Sequence, residues 1–289
     1  IIDQRYPNLQ LIVIDGGSTD GSVDIIQRYS AYINHWVSEP DRGQSHAINK
    51  GIEKATGEWI AWMNSDDCYL PNTLVNFFNS FNHENYDFIH GLSSSGVDIN
   101  NRAFRVIKKN RKRTTFHILR FFMGTEFIIP SQSVFVRRSI LAKVGFLNEE
   151  LSFVMDMEWF ARISLITPPS KIYFYSYSIS FYRKHTGTKT HNYQKEMYDE
   201  ACKVAIRLSS RLPTVKRIIL VRLIKGHKRF YDEFSACSTI FQWLNILMKY
   251  PLHARYSVSY WAKLKMMVFR KVGLPIKTYN DYLLRNNEQ

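Results

Sequence analysis

Three short apolar runs, each followed by aspartate, constrain the fold of this 289-residue chain more than any other feature. Continuous apolar runs bounded by turn residues are typical of the buried strands of a parallel sheet. Helical apolar spacing lies between the last two runs, over Ser45–Ala55. Strands that alternate with helices predict an α/β fold with a mostly parallel sheet and flanking helices. The runs and their acids are Leu11–Ile14 before Asp15, Val37 before Asp41, and Trp59–Met63 before Asp66 and Asp67.

We expect these acids to share one site, because ligands of such sheets bind outside the carboxyl ends of the strands. Asp15 is followed by Gly16 and Gly17, which allow a ligand close to the backbone, so its carboxylate is a candidate partner for a nucleobase or ribose. Asp41 and Arg42 would bind the same nucleotide from the other side. Asp-Gly-Gly and Pro-Asp-Arg-Gly are also ordinary turn sequences, and that alternative stays open.

Asp66 and Asp67 predict a metal ion. Two adjacent carboxylates repel each other unless a cation lies beside them, and Mg²⁺ and Mn²⁺ prefer carboxylate oxygens together with substrate phosphates. Such an ion neutralises charge on a departing diphosphate. We therefore expect Mn²⁺ or Mg²⁺ at Asp67 and Asp66, with Asp66 also close to the nucleotide. The alternative is a helix cap of the Asx type that leads into Pro71.

Asp156, Arg183 and His185 complete the set of candidate residues. Asp156 opens a helix predicted over Met155–Ile166, and a carboxylate there is a candidate base for an acceptor hydroxyl. The helix dipole alone also favours an Asp in the first turn. Arg183 and His185 lie in a predicted strand-to-loop segment and are candidates for contact with a diphosphate or the metal. A lone histidine is more often a packed or surface residue, which is the alternative for His185.

These residues resemble family 2 glycosyltransferases, the inverting group with the GT-A fold. The resemblance covers roughly residues 1–190, and its first 70 residues are the most specific. It implies a GT-A-type, Rossmann-like sheet, and a nucleoside-diphosphate sugar as donor. The segments that carry it are Tyr6–Ser22, Ser38–Gly51, Gly57–Asp67, Gln132–Phe135 and Asp156–Arg162.

The resemblance also implies a role for each candidate residue. Asp15 and Asp41 would contact the nucleotide, and His185 would lie in a closing loop near the diphosphate. Asp66 and Asp67 would fill the place of the metal-binding Asp-x-Asp motif. Asp156 would deprotonate the acceptor hydroxyl in a single in-line displacement that inverts the anomeric configuration.

The chain departs from the family pattern at two places. The family begins with a strand, and here only the end of the following helix remains at Ile1–Gln4, so we expect a fragment that lacks the first strand. Met155 stands where many members carry an acid. The assignment of the base therefore depends on Asp156 alone.

The charge is concentrated near the end of the chain. Residues 201–289 hold 17 Lys and Arg against 4 Asp and Glu, whereas the first 200 residues hold 22 against 21. We predict a catalytic domain over residues 1–192, with a nucleotide-binding half to about residue 75 and an acceptor half from about 76 to 192. Residues 193–289 are predicted to be a helical basic extension. Between Arg102 and Arg120, eight basic residues and no acid predict a solvated hairpin or loop.

Residues 213–230 and 240–272 mix apolar and basic side chains at helical spacing. Such helices lie on anionic membrane surfaces, and this would suit a lipid-linked glycan acceptor and a role in cell-surface polysaccharide synthesis. The alternative is packing on the catalytic domain with a solvated basic face.

Two other functions stay open at this stage. The basic tail would also suit a nucleic-acid-binding module, although no nucleic-acid motif accompanies it and we expect no nucleic acid as partner. A sugar nucleotidyltransferase would be expected to carry an early Gly-rich, basic phosphate loop, and none is visible.

Several features concern the compartment. Cys68, Cys202 and Cys237 form no disulfide or zinc spacing, which favours a reducing compartment. No apolar stretch approaches the ~20 residues of a membrane span, and we expect no signal peptide at Ile1. The sequence thus predicts a cytoplasmic protein, placed at the inner face of the membrane if the tail binds lipid.

Overall fold

The computed structural model describes residues 1–80, 82–96, 118–120, 129–185, 187, 193–235 and 240–250. The basic segment of residues 102–117 and the predicted helical residues beyond 250 lie outside this set. The described strands are β1 (Ile12–Asp15), β2 (His35–Ser38), β3 (Trp59–Ile60), β4 (Cys68–Tyr69), β5 (Phe88–Gly96), β6 (Val134–Arg137) and β7 (Ile172–Arg183). The described α-helices are α1 (Ser22–Arg28), α2 (Gln44–Lys54), α3 (Thr73–Ser80), α4 (Leu141–Val144), α5 (Met155–Ile166), α6 (Gln194–Ser209), α7 (Thr214–Ser235) and α8 (Ile240–Lys249).

The first strands and helices follow the predicted alternation. β1 and β2 pair in parallel, and Asp15 lies opposite Ser38 at the carboxyl end of the pair. Gly43, with φ +117°, turns the chain from β2 into α2, a backbone conformation that a side chain would disfavour. The strands predicted at Leu11–Ile14 and Val37 and the helix predicted over Ser45–Ala55 are confirmed to within a residue or two.

The other described strands form a separate five-stranded sheet of order β3-β6-β5-β7-β4. β5 and β7 are parallel, whereas β6 is antiparallel to β3 and β5, and β4 is antiparallel to β7. The α/β class is therefore confirmed. The expectation of a mostly parallel sheet is corrected, since the larger described sheet is mixed. An apolar run predicts a buried strand, but it does not encode the direction of the neighbouring strand.

The strand predicted over Trp59–Met63 is shorter than expected and ends at Ile60. Trp62 leaves the sheet and packs on α5, where its ring centroid lies 5.6 Å from those of Trp159 and Phe160. Aromatic rings bury large apolar areas, and this packing is available only once the chain turns out of the sheet. As a result, the segment that leads to Asp66 and Asp67 lies against α5.

The larger sheet is stabilised by an aromatic core on the side of α3. Phe77 of α3 is fully buried and stacks on Phe135 of β6 with ring centroids 4.3 Å apart. The Thr73 hydroxyl donates a 2.8 Å hydrogen bond to the Ile179 carbonyl, which ties α3 to β7. This packing fixes the last part of β7, from which Arg183 and His185 follow.

The helix predicted over Met155–Ile166 is confirmed as α5. It ends at Thr167, before Pro168 and Pro169, which cannot continue a helix. Within it, the carboxylate of the buried Glu158 accepts a 2.8 Å hydrogen bond from the Arg162 guanidinium one turn later. This ion pair joins two successive turns of α5.

The chain divides into two compact units. One contains the described residues up to Glu200 other than 118–120, and the other contains 118–120 and the described residues from Ala201 onward. The division falls inside α6, past the predicted boundary near residue 192. In the second unit, α7 buries one helical stripe that comprises Leu220, Ile224, His227, Phe230 and Phe234. Within the described residues, no helix is both long and apolar enough to cross a bilayer.

Candidate active site

The carboxylate of Asp15 lies at the end of β1 and is surrounded by hydrogen-bond donors. It accepts bonds from the backbone N–H groups of Gly17 (3.1 Å) and Ser18 (2.8 Å) and from the hydroxyls of Ser18 (2.5 Å) and Ser38 (2.6 Å). The two hydroxyls contribute most to a pKa of about 2, well below the ordinary value for Asp. Asp15 therefore holds the loop after β1 in place as a charged group.

The loop after β1 contacts the loop after β2. A Cβ atom at Gly16 would lie 2.5 Å from Asp41 Oδ2, so only glycine allows this approach. Gly17 has φ +86°, which also favours glycine. The Asp41 carboxylate accepts a 2.8 Å bond from the Gly43 N–H at the start of α2. The structure thus brings Asp15, Gly16 and Asp41 together, as the sequence predicts.

Arg42 is directed toward a residue that the sequence does not single out. Its guanidinium donates a 2.6 Å hydrogen bond to Glu149, although 70% of the Arg42 side chain remains exposed. Glu149 also accepts a 3.0 Å bond from the Asn49 amide, and Asn49 is itself fixed by the backbone of Leu147. Exposed ion pairs of this kind contribute little free energy, so Arg42 is available to an anionic ligand.

Asp66 and Asp67 meet the end of β7. The pairing of Cys68 with Phe181 in the β4 and β7 ladder places the end of β7 beside the two acids. Asp67 Oδ1 accepts a 3.1 Å bond from the backbone N–H of Arg183, and Asp66 Oδ2 lies 2.9 Å from His185 Nε2. Four candidate residues, in two pairs that are more than 110 positions apart in sequence, thus form one cluster.

The hydrogen bonds of His185 indicate its tautomer. Its Nδ1 accepts a bond from the backbone N–H of Gly187 (3.2 Å), so Nε2 carries the proton and donates it to Asp66. The Gly187 contact also holds the segment after β7 against the imidazole.

Asp67 is buried, with 8% of its surface exposed. Burial, with a further contribution from the charge of Asp66, raises the pKa of Asp67 to about 6. A buried carboxylate beside a second carboxylate is costly for the folded protein, and such costs are concentrated at functional sites. The pair is thus better suited to a cation than to the simple helix cap that was the alternative.

The donor atoms of this cluster fit Mg²⁺ or Mn²⁺. Asp66 and Asp67 supply carboxylate oxygens, and His185 Nε2 would supply an imidazole nitrogen, which suits Mn²⁺, once it releases its proton. Among the residues that the structure describes, no group of three or more His, Cys, Asp or Glu side chains is arranged to hold a metal. Mg²⁺ is usually held by one or two carboxylates together with substrate phosphates. The cluster therefore fits an ion shared with a phosphate ligand.

Asp156 occupies the first turn of α5, as predicted. Its carboxylate accepts a 2.7 Å bond from the backbone N–H of Met157. Burial is the main cause of a pKa of about 6 for this half-buried side chain. A pKa near the working pH is what a general base requires. Because α5 packs on Trp62, the helix of Asp156 lies against the segment that ends in Asp66 and Asp67.

A second acid that the sequence does not single out lies at the start of α5. Glu200 of α6 accepts hydrogen bonds from the backbone N–H groups of residues 152–154. One sequence signal points to such a partner, since the helix begins after Val154, a residue that cannot cap it. The identity of the partner is not readable from local pattern, because Glu200 is 46 residues away.

The chain is similar to known glycosyltransferases. Residues 1–145 match the model of "Glycosyl transferase family 2". An uncharacterized glycosyltransferase of Mycobacterium tuberculosis is 29% identical over 175 residues, which cover 58% of this chain and 63% of the relative. The uncharacterized glycosyltransferase YibD of Escherichia coli is 25% identical over 218 residues, which cover 68% of this chain and 61% of that protein. The chain thus spans less than two thirds of these curated relatives.

Solved structures of S. aureus TarS share the fold. The chain superposes on one TarS structure with a TM-score of 0.59 at 16% identity, over 99% of this chain and 50% of TarS. A complex of TarS residues 1–349 with UDP-GlcNAc gives a TM-score of 0.58 at 16% identity, over 91% of this chain and 77% of that protein. These neighbours are GT-A glycosyltransferases, so the α/β fold is of the GT-A type. The family match ends before Asp156, Arg183 and His185.

Proposed function

The chain belongs to glycosyl transferase family 2, and from this membership we propose that it transfers a sugar from a nucleoside-diphosphate sugar to a hydroxyl acceptor with inversion. The observation that carries the proposal is the cluster at the end of β7. There the buried carboxyl group of Asp67 and the carboxyl group of Asp66 contact Arg183 and His185. In this cluster, the two carboxylates would bind a cation. Arg183 and His185 would contact a diphosphate at the same place.

The donor is a nucleoside-diphosphate sugar. One of the TarS structures that share the fold is a complex with UDP-GlcNAc, and this supports UDP as the first nucleotide to test. Asp15, Gly16 and Asp41, which meet at the ends of β1 and β2, are the proposed nucleotide contacts. When the nucleotide binds, the Arg42 guanidinium would leave its exposed ion pair with Glu149 and would pair with the negative charge of the ligand.

Asp66 and Asp67 would hold Mn²⁺ or Mg²⁺, with His185 as a further contact to the metal or the diphosphate. When bound, the ion supplies positive charge beside the diphosphate. Burial of the Asp67 carboxylate costs free energy in the folded protein. The backbone N–H of Arg183 donates a hydrogen bond that orients this carboxylate. The two carboxylates would thus hold the cation from one side, and the phosphate oxygens of the nucleotide would be its further ligands.

Asp156 is the proposed catalytic base. Its carboxylate takes the proton of the acceptor hydroxyl, the oxygen forms a bond to the anomeric carbon, and the bond from that carbon to the diphosphate oxygen breaks. Attack from the face opposite the leaving group inverts the anomeric configuration. Burial supports this role, because it makes Asp156 a stronger base than an exposed carboxylate.

The proposed acceptor is a glycan or lipid-linked glycan of a cell-surface polysaccharide, reached at an anionic membrane surface. Support comes from α7, which exposes Val215, Ile218 and Ile219 beside Lys216 and Arg217. Apolar and basic side chains on one helix suit anionic lipid. Flotation with vesicles that contain anionic lipid should recover the protein, and Lys216→Glu with Arg217→Glu should abolish recovery. Equal recovery of the variant would contradict the membrane proposal.

Titration calorimetry with UDP and Mn²⁺ tests the proposed site. Asp67→Ala should lose measurable binding, whereas Asp24→Ala, which removes an exposed carboxylate from α1, should bind as the unmodified chain does. Asp156→Asn should keep this binding and lose transfer. Unchanged affinity in Asp67→Ala would contradict the metal assignment, and full turnover in Asp156→Asn would contradict the base. Salt-dependent binding of nucleic acid without binding of UDP would instead favour a nucleic-acid module.

A further inference from the structure

The carboxylate of Glu200 binds three consecutive backbone N–H groups. Glu200 Oε1 accepts a bond from Ser152 N at 2.9 Å, and Oε2 accepts bonds from Phe153 N at 2.8 Å and Val154 N at 2.9 Å. These lengths are typical of bonds to a charged acceptor, which are about twice as strong as neutral ones. Through these three hydrogen bonds the carboxylate holds residues 152–154, which lead into α5.

The start of α5 needs a partner of this kind. The first N–H groups of a helix have no acceptor within the helix, and its N-terminus favours negative charge. A Ser, Thr, Asp or Asn at the N-cap usually supplies the acceptor, but here the N-cap is the buried Val154, which makes no side-chain cap bond. From another helix, Glu200 instead accepts the N–H groups of Ser152, Phe153 and the N-cap Val154, and so it holds the backbone that leads into α5.

A second contact holds the same segment to the beginning of α6. The ring of Phe153 packs against that of Tyr193, with centroids 5.6 Å apart. Tyr193 directly precedes α6, in which Glu200 lies. The entry to α5 is thus attached at two points to a part of the chain outside residues 1–145, over which the family model matches.

Asp156 lies two residues after Val154, so its position depends on this attachment. Its carboxylate bonds to the N–H of the neighbouring Met157, a contact that moves with the helix and does not by itself fix the helix. The direction of the Asp156 side chain is therefore set by the backbone of the first turn of α5. Glu200 holds the three residues that lead into that turn, the last of which is the N-cap Val154.

We propose that Glu200 is a positioning residue for transfer, which holds residues 152–154 and thereby the point of entry into α5, so that the Asp156 carboxyl group meets the acceptor hydroxyl. The inference rests on the proposed function, because it takes Asp156 as the base. Glu200 contacts only backbone groups in this role and takes no part in proton transfer. Removal of the Glu200 carboxylate frees the start of α5. It leaves the cluster of Asp66 and Asp67 in place, because that cluster lies on other elements.

The test is a set of steady-state measurements on the full chain with Glu200→Gln and Glu200→Ala. Glu200→Gln keeps the shape but places an NH₂ group where a backbone N–H needs an acceptor. We expect kcat to fall roughly tenfold or more, because misplacement of a reacting group by ~1 Å can cost ~100-fold in rate. The KM for the donor and the affinity for UDP should stay within about twofold of the unmodified values.

A matched control is Glu196→Gln, which removes one charge from an exposed position one turn earlier on α6. It should keep the kcat of the unmodified chain. A double variant separates positioning from a general loss of structure. Asp156→Asn combined with Glu200→Gln should be no slower than Asp156→Asn alone, since there is then no base left to misplace.

Three results would overturn the inference. If Glu200→Gln and Glu200→Ala keep full kcat while Asp156→Asn is inactive, Glu200 does not position the base, and the proposed function stands. If Asp156→Asn keeps full turnover, the base assignment fails, and the role of Glu200 fails with it. An additive loss in the double variant would also overturn the inference, because it would assign Glu200 an effect independent of Asp156.

Discussion

At the scale of single residues, the carboxyl groups of Asp67 and Asp156 are distinguished by surroundings that disfavour their charged forms. Asp67 and Asp156 each have a pKa of about 6, chiefly through burial. Asp15 is the opposite case, since the hydroxyls of Ser18 and Ser38 hold its pKa at about 2. Strongly shifted groups with a specific environment are typical of functional sites. The opposite pKa shifts therefore separate Asp15 from Asp67 and Asp156.

The shifted pKa of Asp156 predicts the pH dependence of transfer. A base acts in its deprotonated form, so kcat should rise with pH and reach half its plateau near pH 6. Initial rates with a saturating donor between pH 4.5 and 8.5 would measure this midpoint. A rate that is flat across this range would contradict the assignment of Asp156 as base.

The same shift predicts a cost in stability. Because the folded chain keeps the proton of Asp156 up to about pH 6, whereas an unfolded Asp loses it near 4, the contribution to stability is full below pH 4 and falls as the pH rises to 6. Asp156→Asn should therefore gain on the order of 2 kcal/mol of unfolding free energy at pH 7.5 relative to its effect at pH 4. Urea unfolding at both pH values would measure the gain, with Asp3→Asn as an exposed control. Equal effects at the two pH values would contradict it.

At the scale of elements, two loops approach closely at the proposed nucleotide site. The loops after β1 and β2 touch where Gly16 meets Asp41. The strand ends follow from the apolar runs before them, which is why the sequence predicts this meeting. The pairing of Arg42 with Glu149 depends on a contact between residues 107 positions apart, and no local pattern encodes it.

Gly16→Ala should weaken nucleotide binding by roughly tenfold, because the new Cβ would lie 2.5 Å from Asp41 Oδ2 and displace that carboxylate. Gly51→Ala in α2 is the matched control, since its Cβ would meet only Ile14, at 3.6 Å. The control should keep its affinity and gain up to ~1 kcal/mol of stability from helix propensity. UDP titration and thermal unfolding would measure both effects. Equal affinities of the two variants would contradict a role for the loop contact.

At the scale of the whole molecule, the sequence predicts the strands and helices better than it predicts their partners. α5 is found with its predicted bounds, because its apolar spacing is a local property. The strand at Trp59 is cut short, because Trp62 packs on α5 instead. The mixed sheet depends on contacts between distant segments. The hydrogen bonds from the residues before α5 to Glu200 also depend on such contacts. Such contacts also bring Asp66 and Asp67 together with Arg183 and His185.

The most direct test of the central claim is a product assay with nucleotide sugars. The purified chain, supplied with Mn²⁺ and a panel that begins with UDP-GlcNAc, should release nucleoside diphosphate, and the release should be lost in Asp67→Ala and Asp156→Asn. Release of pyrophosphate from nucleoside triphosphate and sugar phosphate, with no nucleoside diphosphate from any donor, would contradict glycosyl transfer and favour nucleotidyl transfer.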